Sequence, residues 1–332
     1  MNKQVTRSRL WTILAALAAV MWGISGLFAE SLFKISSKIT PIWLTQIRLI
    51  ISGVVLLIIA AILHQKPFSI LKNKKNTLHI IAYGVFGLLP VQIFYFIVIE
   101  MANASIATIL QFIGPFFVLA YLAVTHQQVL RKLDVLAAIM AFIGVFLLST
   151  HGNLNHLAIT PVALFFGLLS ALGEASYTLI PVKIVKRISS LVLTGWGMIF
   201  AGLGLVIVHP SFPAIPNTSK VWLWVGAIII LGTIVPFQIM ANALRYVKPS
   251  TVSLLDAFEP LSATVGSVLI FGLVMSGMDW LGTFLVIVAV LALNFTPKRK
   301  IKKFLKREYK EKLAISSLEM ALILPAFFCL KF

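Results

Sequence analysis

Ten stretches of this 332-residue chain are apolar for about 20 residues at a time, and no other feature limits its fold so strongly. Inside a bilayer each backbone amide must find its partner within the chain, so a stretch of roughly 20 apolar residues spans as a helix. The stretches run 11–30, 42–63, 78–99, 105–124, 134–150, 159–180, 190–208, 221–241, 251–273 and 279–296. Short gaps separate them and carry turn signals such as His151-Gly152-Asn153 and Pro210-Ser211-Phe212-Pro213. Composition excludes the alternative. With 60% hydrophobic and 11% charged residues and a mean hydropathy of +1.01, too little polar surface exists to solvate a water-soluble core. The expected fold is an all-α integral membrane protein with ten transmembrane helices. The first stretch, from about Leu10 to Phe33, is longer than a signal-peptide core and has no small-residue cleavage site, so it reads as a retained span.

The net charge of +18 is segregated. With the N-terminus inside, the inner segments hold Lys3, Arg7 and Arg9, then Lys66, Lys72, Lys74 and Lys75, then Arg131 and Lys132, then Lys183, Lys186 and Arg187, then Arg245 and Lys248. The outer loops hold only Lys34, Lys38 and Lys220. That asymmetry predicts a multi-pass protein of the cell membrane with both termini cytoplasmic. It also points to an anionic inner leaflet, and not nucleic acid, as the partner of the basic charge. The tail "KRKIKKFLKREYKEK" (298–312) reads either as an amphipathic helix on that leaflet or as a disordered basic segment. The apolar run at 320–330 is too short to span. Cys329 is the single cysteine, so no intrachain disulfide forms.

The two halves resemble each other. "SIATILQFIGP" (105–115) aligns with "STVSLLDAFEP" (250–260), Ser on Ser and Pro on Pro, and "AVMWGISGLFA" (19–29) lies over "SALGEASYTLI" (170–180). Five spans per half is an odd number, so such a repeat is inverted in the membrane, an arrangement that places substrate sites near the midplane. With this, the chain resembles the EamA family of the drug/metabolite transporter superfamily. The resemblance rests on "MWGISGLF" in helix 1, Pro41 with Arg48 in helix 2, "ANASIATILQFIGPFF" (102–117) and "KPSTVSLLDAFEP" (248–260), and it covers about residues 10–297. It departs at helix 6, where Gly173-Glu174 lies over Trp22-Gly23. The family implies a secondary transporter, most often an exporter, with two inverted five-helix units around a central cavity. The implied organisation is one repeat in 1–150, a second in 151–297, and a basic cytoplasmic tail in 298–332.

Charged and polar groups within spans cost on the order of 3 kcal/mol on insertion scales, so they mark cavities or partners. Asp256 and Glu259, three residues apart, share a helix face, and so close a pair is suited to sharing a proton. Pro260 cannot donate to the carbonyl of Asp256, which is expected to be bare and to favour a wet or substrate-lined site. Glu174 falls at similar depth. The three acids read as a substrate or proton pathway, against the alternative of acids that snorkel or hydrogen-bond structurally. Tyr177 and Trp22 either face that pathway or simply pack. Gln111 stands where Asp256 stands in the other half, with Pro115 breaking the helix as Pro260 does. Gln92 with Tyr95 on helix 3, and Gln238 with Asn242 on helix 8, are either ligand contacts or helix–helix hydrogen bonds. Arg48, nearer the outer surface, is set apart from the acids; Glu30 and Glu100 are its candidate partners in an outer gate, the alternative being a structural hydrogen bond.

No GxxxxGK[ST], GxSxG or HExxH sequence occurs, so ATP-driven pumping and the common hydrolytic sites find no support, and no catalytic residue, metal or cofactor is expected. The leading expectation is a proton-coupled exporter of a small metabolite or amino-acid-like compound, with a proton or another ion as coupling partner. The alternatives are an uptake permease for a cationic amine and a non-transporting receptor or scaffold.

Overall fold

The computed structural model describes residues 3–126, 131–150, 160–210, 213–272 and 276–294. The tail from 298, the apolar run at 320–330 and the junction between the expected halves at 151–159 lie outside the described residues. Everything below belongs to the compact unit of residues 1–290.

The described residues are helical throughout, without a strand. The ten segments are α1 (Lys3–Ile35), α2 (Pro41–Ile62), α3 (Lys74–Met101), α4 (Ala104–Val124), α5 (Lys132–Thr150), α6 (Pro161–Val182), α7 (Ser190–Val208), α8 (Ser219–Tyr246), α9 (Pro249–Phe271) and α10 (Gly277–Asn294). Eight of them are long and apolar enough to cross a membrane; α5 and α10, of 19 and 18 residues, coincide with the other two expected stretches. Helix starts follow local chemistry. The side chains of Thr40, Asn103, Thr160 and Thr218 each accept a hydrogen bond from a backbone N–H three residues on, and Pro41 and Pro161 occupy first-turn positions where no N–H is needed.

Four of these helices are interrupted, and the interruptions occur at matched places. α3 widens into a π turn at Gly84–Leu88 just before Pro90-Val91-Gln92, and α8 does so at Ile230–Ile234 just before Pro236-Phe237-Gln238. A proline removes one donor from the ladder and crowds the preceding turn, and a π turn absorbs both effects. α4 breaks at Phe112 and Ile113 ahead of Pro115, and α9 breaks at Asp256 and Ala257 ahead of Pro260.

Packing brings these interruptions together. α1 lies against α8 and α9, α6 lies against α3 and α4, and α2 crosses α7. Small residues permit the last crossing: a Cβ on Gly202 would stand 2.7 Å from Ile50 Cγ1 and one on Gly195 2.9 Å from Leu57 Cδ2, while Gly204 faces nothing within 4 Å. Gln238 donates to Ser190, and Ser190 donates to Asn242 Oδ1 at 3.0 Å. These two polar groups of α8 are thus spent on holding α7.

Candidate functional site

The broken helices converge on a small cavity of about 20 Å³. Trp22 from α1, Arg48 from α2, Gln92 and Tyr95 from α3, Gln111 from α4, Glu174 from α6 and Glu259 from α9 all line it. A smaller, tighter space without room for a water adjoins it, walled by Gln111, Pro115, Glu174, Asp256 and Glu259 together with Thr108 and Phe112.

Arg48 shows how local structure builds the wall. It is 4% exposed, and burying a guanidinium at membrane depth costs on the order of 3 kcal/mol on insertion scales. Pro236 supplies part of the offset, because it has no N–H for the carbonyl four residues earlier, that of Gly232. Arg48 Nη2 takes that carbonyl at 3.2 Å, and Nε donates to Thr233 Oγ1 at 3.0 Å. The guanidinium also stacks 4.6 Å from the centre of the Phe96 ring, a cation–π contact worth about 1–2 kcal/mol when desolvated. Nη1 is left without a hydrogen-bond partner among the described residues, on a side chain that lines the cavity.

The structure places Arg48 differently from its expected setting. It shares the cavity with Glu259 and Glu174 and is not joined to Glu30 or Glu100. Glu30 instead pairs with Lys34 at 2.7 Å and accepts the backbone N–H of Ala104 at 3.0 Å, tying α1 to the start of α4, and Glu100 is exposed. Arg48 makes structural hydrogen bonds to Gly232 and Thr233 of α8, the alternative to the gate, and these draw the side chain inward.

The turn at Asp256 and Ala257 tightens the helix between Asp256 and Glu259 but leaves them on one side, and both border the smaller space. Glu259 lines the larger space; Asp256 lines only the smaller one. The carbonyl of Asp256 is not bare, since the N–H of Glu259 closes a tighter three-residue bond onto it at 2.9 Å. Glu259 lies within electrostatic range of Arg48 and within reach of the Tyr95 hydroxyl, although that hydroxyl is not aligned as a donor. Asp256 faces the carboxyl of Glu174 across the α6–α9 contact, again without an aligned bond. Thr178 donates to Glu174 Oε1 at 3.3 Å.

Several buried polar atoms around the cavity have no partner among the described residues: Trp22 Nε1, Gln92 Oε1, and the hydroxyls of Tyr95 and Tyr177. An unpaired buried polar atom costs about 1–3 kcal/mol, and five groups converging so, with Asp256 included, fit a polar ligand better than a finished core. Gln111 is held in place, accepting from Ser170 of α6 at 2.6 Å. Gln92 Nε2 donates to the Leu88 carbonyl at 3.0 Å.

Trp22 and Phe237 line the cavity, and Tyr177, buried behind them, does not. Trp22, Tyr177 and Phe237 meet edge to face with centroids 4.8 to 6.0 Å apart, bridging α1, α6 and α8. Phe237, Ser25, Val91 and Gly232 also line the cavity and escaped the sequence reading. The signal was present: Pro90-Val91-Gln92 and Pro236-Phe237-Gln238 are one motif repeated.

Comparison with known proteins follows the same outline. A model of the EamA-like transporter family matches residues 9–150 and 161–295. The uncharacterized inner membrane transporter YicL of Salmonella typhimurium is 33% identical over 298 residues, which is 90% of this chain and 98% of that protein. The threonine/homoserine exporter RhtA of Escherichia coli K12 is 25% identical over 305 residues, 87% of this chain and 92% of that one. A crystal structure 20% identical in sequence superposes with a TM-score of 0.69, covering 86% of this chain and 96% of its own, and so shares the fold.

Proposed function

The chain belongs to the EamA-like transporter family, whose members are membrane transporters, and from that premise we propose that it exports a small amino-acid-like metabolite in exchange for protons. One observation carries this reading: a buried cation, Arg48, and a buried acid, Glu259, line the same cavity without a salt bridge between them. In a conformation opened to admit it, a zwitterion satisfies both at once, its carboxylate on the free Nη1 of Arg48 and its ammonium toward Glu259. The orphaned atoms of Trp22, Gln92 and Tyr95 then serve as its polar neighbours. RhtA, named for export of threonine and homoserine, agrees in substrate class and direction.

In this reading all ten helices span, as two inverted repeats in 1–150 and 151–297, with the matched interruptions of α3 with α8 and α4 with α9 as their visible trace. Both termini face the cytoplasm of a cell-membrane protein. The chain carries its substrate unchanged and is not an enzyme. Glu30, Lys34 and the α4 N-terminus belong to the outer closure.

A second reading draws on the three rings. An aromatic cluster beside acids suits an organic cation, so uptake of an amine competes with amino-acid export. Untargeted metabolite profiling separates them. Cells expressing the native chain are compared with cells expressing Glu259→Gln at matched membrane levels. An amino acid enriched in the medium only with the native chain supports export; an amine depleted from the medium supports the second reading; equal media contradict both.

A further inference from the structure

The three membrane-embedded acids are not equivalent, and we propose that the Glu174–Asp256 pair holds the coupling proton while Glu259 serves the substrate. This rests on the proton-coupled reading above and divides its labour. Glu259 has a counter-charge: Arg48 lies within its electrostatic reach, as do the Tyr95 hydroxyl and the Glu174 carboxyl, and it borders both spaces. Glu174 and Asp256 face each other, 2% and 4% exposed, and no cationic side chain lines the space between them. Both oxygens of Asp256 lack a hydrogen-bond partner among the described residues, and so does the hydroxyl of Tyr177, buried within range of both acids.

The other groups around the pair do not neutralise it. Tyr83 and Tyr95 from α3 and Tyr177 from α6 are phenols, Glu259 from α9 is a third acid, and Thr108 and Gln111 from α4 are neutral. Arg48 from α2 is engaged by Gly232 and Thr233 and borders only the larger space, which Glu174 reaches but Asp256 does not. Two carboxylates facing one another in a site that excludes water cannot both stay ionised, because desolvation costs several kcal/mol per ion and their repulsion adds to it. One proton held between them removes a full charge and supplies the missing hydrogen bond.

The pair is also fixed in place. A Cβ on Gly114 would stand 2.5 Å from Glu174 Cγ, so α4 presses on that side chain at the residue before Pro115. The turn that carries Asp256 is the break in α9. Movement of α9 relative to α6 would part the carboxyls, release the proton to whichever side is then open, and require one to return before the pair reforms. Coupling therefore follows from the helix contact itself.

The test uses the full-length chain in lipid vesicles, with two readouts. Infrared difference spectroscopy at neutral pH is expected to show a protonated-carboxyl stretch in the native chain. That stretch persists in Glu259→Gln and vanishes in the double variant Glu174→Gln/Asp256→Asn. Its absence from the native chain, its survival in the double variant, or its loss in Glu259→Gln overturns the proposal. In parallel, movement of labelled L-threonine driven by an imposed pH gradient is compared with equal-pH exchange. In Asp256→Asn the ratio of the two is expected to fall to the value seen without a gradient, and an unchanged ratio overturns the proposal. If the native chain moves no threonine at all, the substrate reading fails, and the infrared result still decides the proton pair. Thermal unfolding of each variant identifies those that fail to fold, and for these the single substitutions Glu174→Gln and Asp256→Asn take the place of the double.

Discussion

Gly23 meets Glu259 where α1 crosses α9: a Cβ on residue 23 would stand 2.4 Å from the Glu259 carbonyl oxygen and 2.1 Å from Ser262 Oγ. At the crossing of α4 and α6 the roles are exchanged. There the glycine, Gly114, belongs to the proline-broken helix, and the acid, Glu174, belongs to the facing one. Each crossing thus gives up one side chain so that the other can present a carboxyl at the cavity wall. Gly23→Val is therefore expected to destabilise the fold by about 1–3 kcal/mol through overpacking. Thermal unfolding of the purified chain measures the cost, and Gly23→Ala is expected to show a smaller part of it.

Arg48 is expected to resist replacement by lysine. The contact depends on two donors in fixed directions, one to the Gly232 carbonyl and one to Thr233 Oγ1, plus a flat face on Phe96. Arg48→Lys keeps the charge and loses that geometry, so substrate affinity should weaken by about tenfold, equivalent to about 1.4 kcal/mol. Binding titrations with L-threonine check this. Thr233→Val, which leaves the Gly232 carbonyl contact in place, is expected to have a milder effect.

Phe237 carries a prediction that the sequence reading did not contain. Phe237→Ala removes the ring that contacts both Trp22 and Tyr177, at 4.8 and 5.6 Å, and each aromatic pair contributes about 0.5–1.5 kcal/mol beyond its buried area. Reduced transport with unchanged membrane levels is the expected result. Phe237→Tyr, which keeps a ring, should retain more activity. Equal activity in the native chain and both variants would remove the aromatic wall from the mechanism.

Orientation is testable with a membrane-impermeant thiol reagent. With Cys329 replaced by serine, Ser37→Cys in the α1–α2 turn should label from outside intact cells. Ser69→Cys between α2 and α3 should label only after the membrane is opened. The reverse pattern would invert the topology and with it the assignment of Glu30 and Lys34 to the outer side.

What the sequence made legible was periodic or costly. Apolar runs gave the ten helical segments closely except for the start of α1, which lies further upstream at Lys3, since backbone satisfaction in lipid leaves little choice. Residues expensive to bury, such as Glu174, Glu259, Gln92 and Gln111, stood out for that reason, and the fold brings them to one cavity. Phe237 and Val91 were hidden because an apolar residue in a span looks the same whether it faces lipid, a neighbour or a ligand. Arg48 makes the structural hydrogen bonds that stood as the alternative to a gate, and their partners, a carbonyl and a hydroxyl on another helix, are out of reach of a single-helix reading. The common side of Asp256 and Glu259 was legible in their spacing, whereas the tighter turn that caps the Asp256 carbonyl was not.

The central claim is that protons drive a substrate outward through the cavity that Glu259 lines. The most direct measurement is accumulation of labelled L-threonine in inverted membrane vesicles, where export appears as uptake into the lumen. With an acidic lumen, vesicles bearing the native chain are expected to accumulate the label above its outside concentration. They should lose it on addition of a protonophore, and Glu259→Gln vesicles should behave like vesicles without the protein. Accumulation that survives the protonophore, or that proceeds equally in Glu259→Gln, would contradict the account.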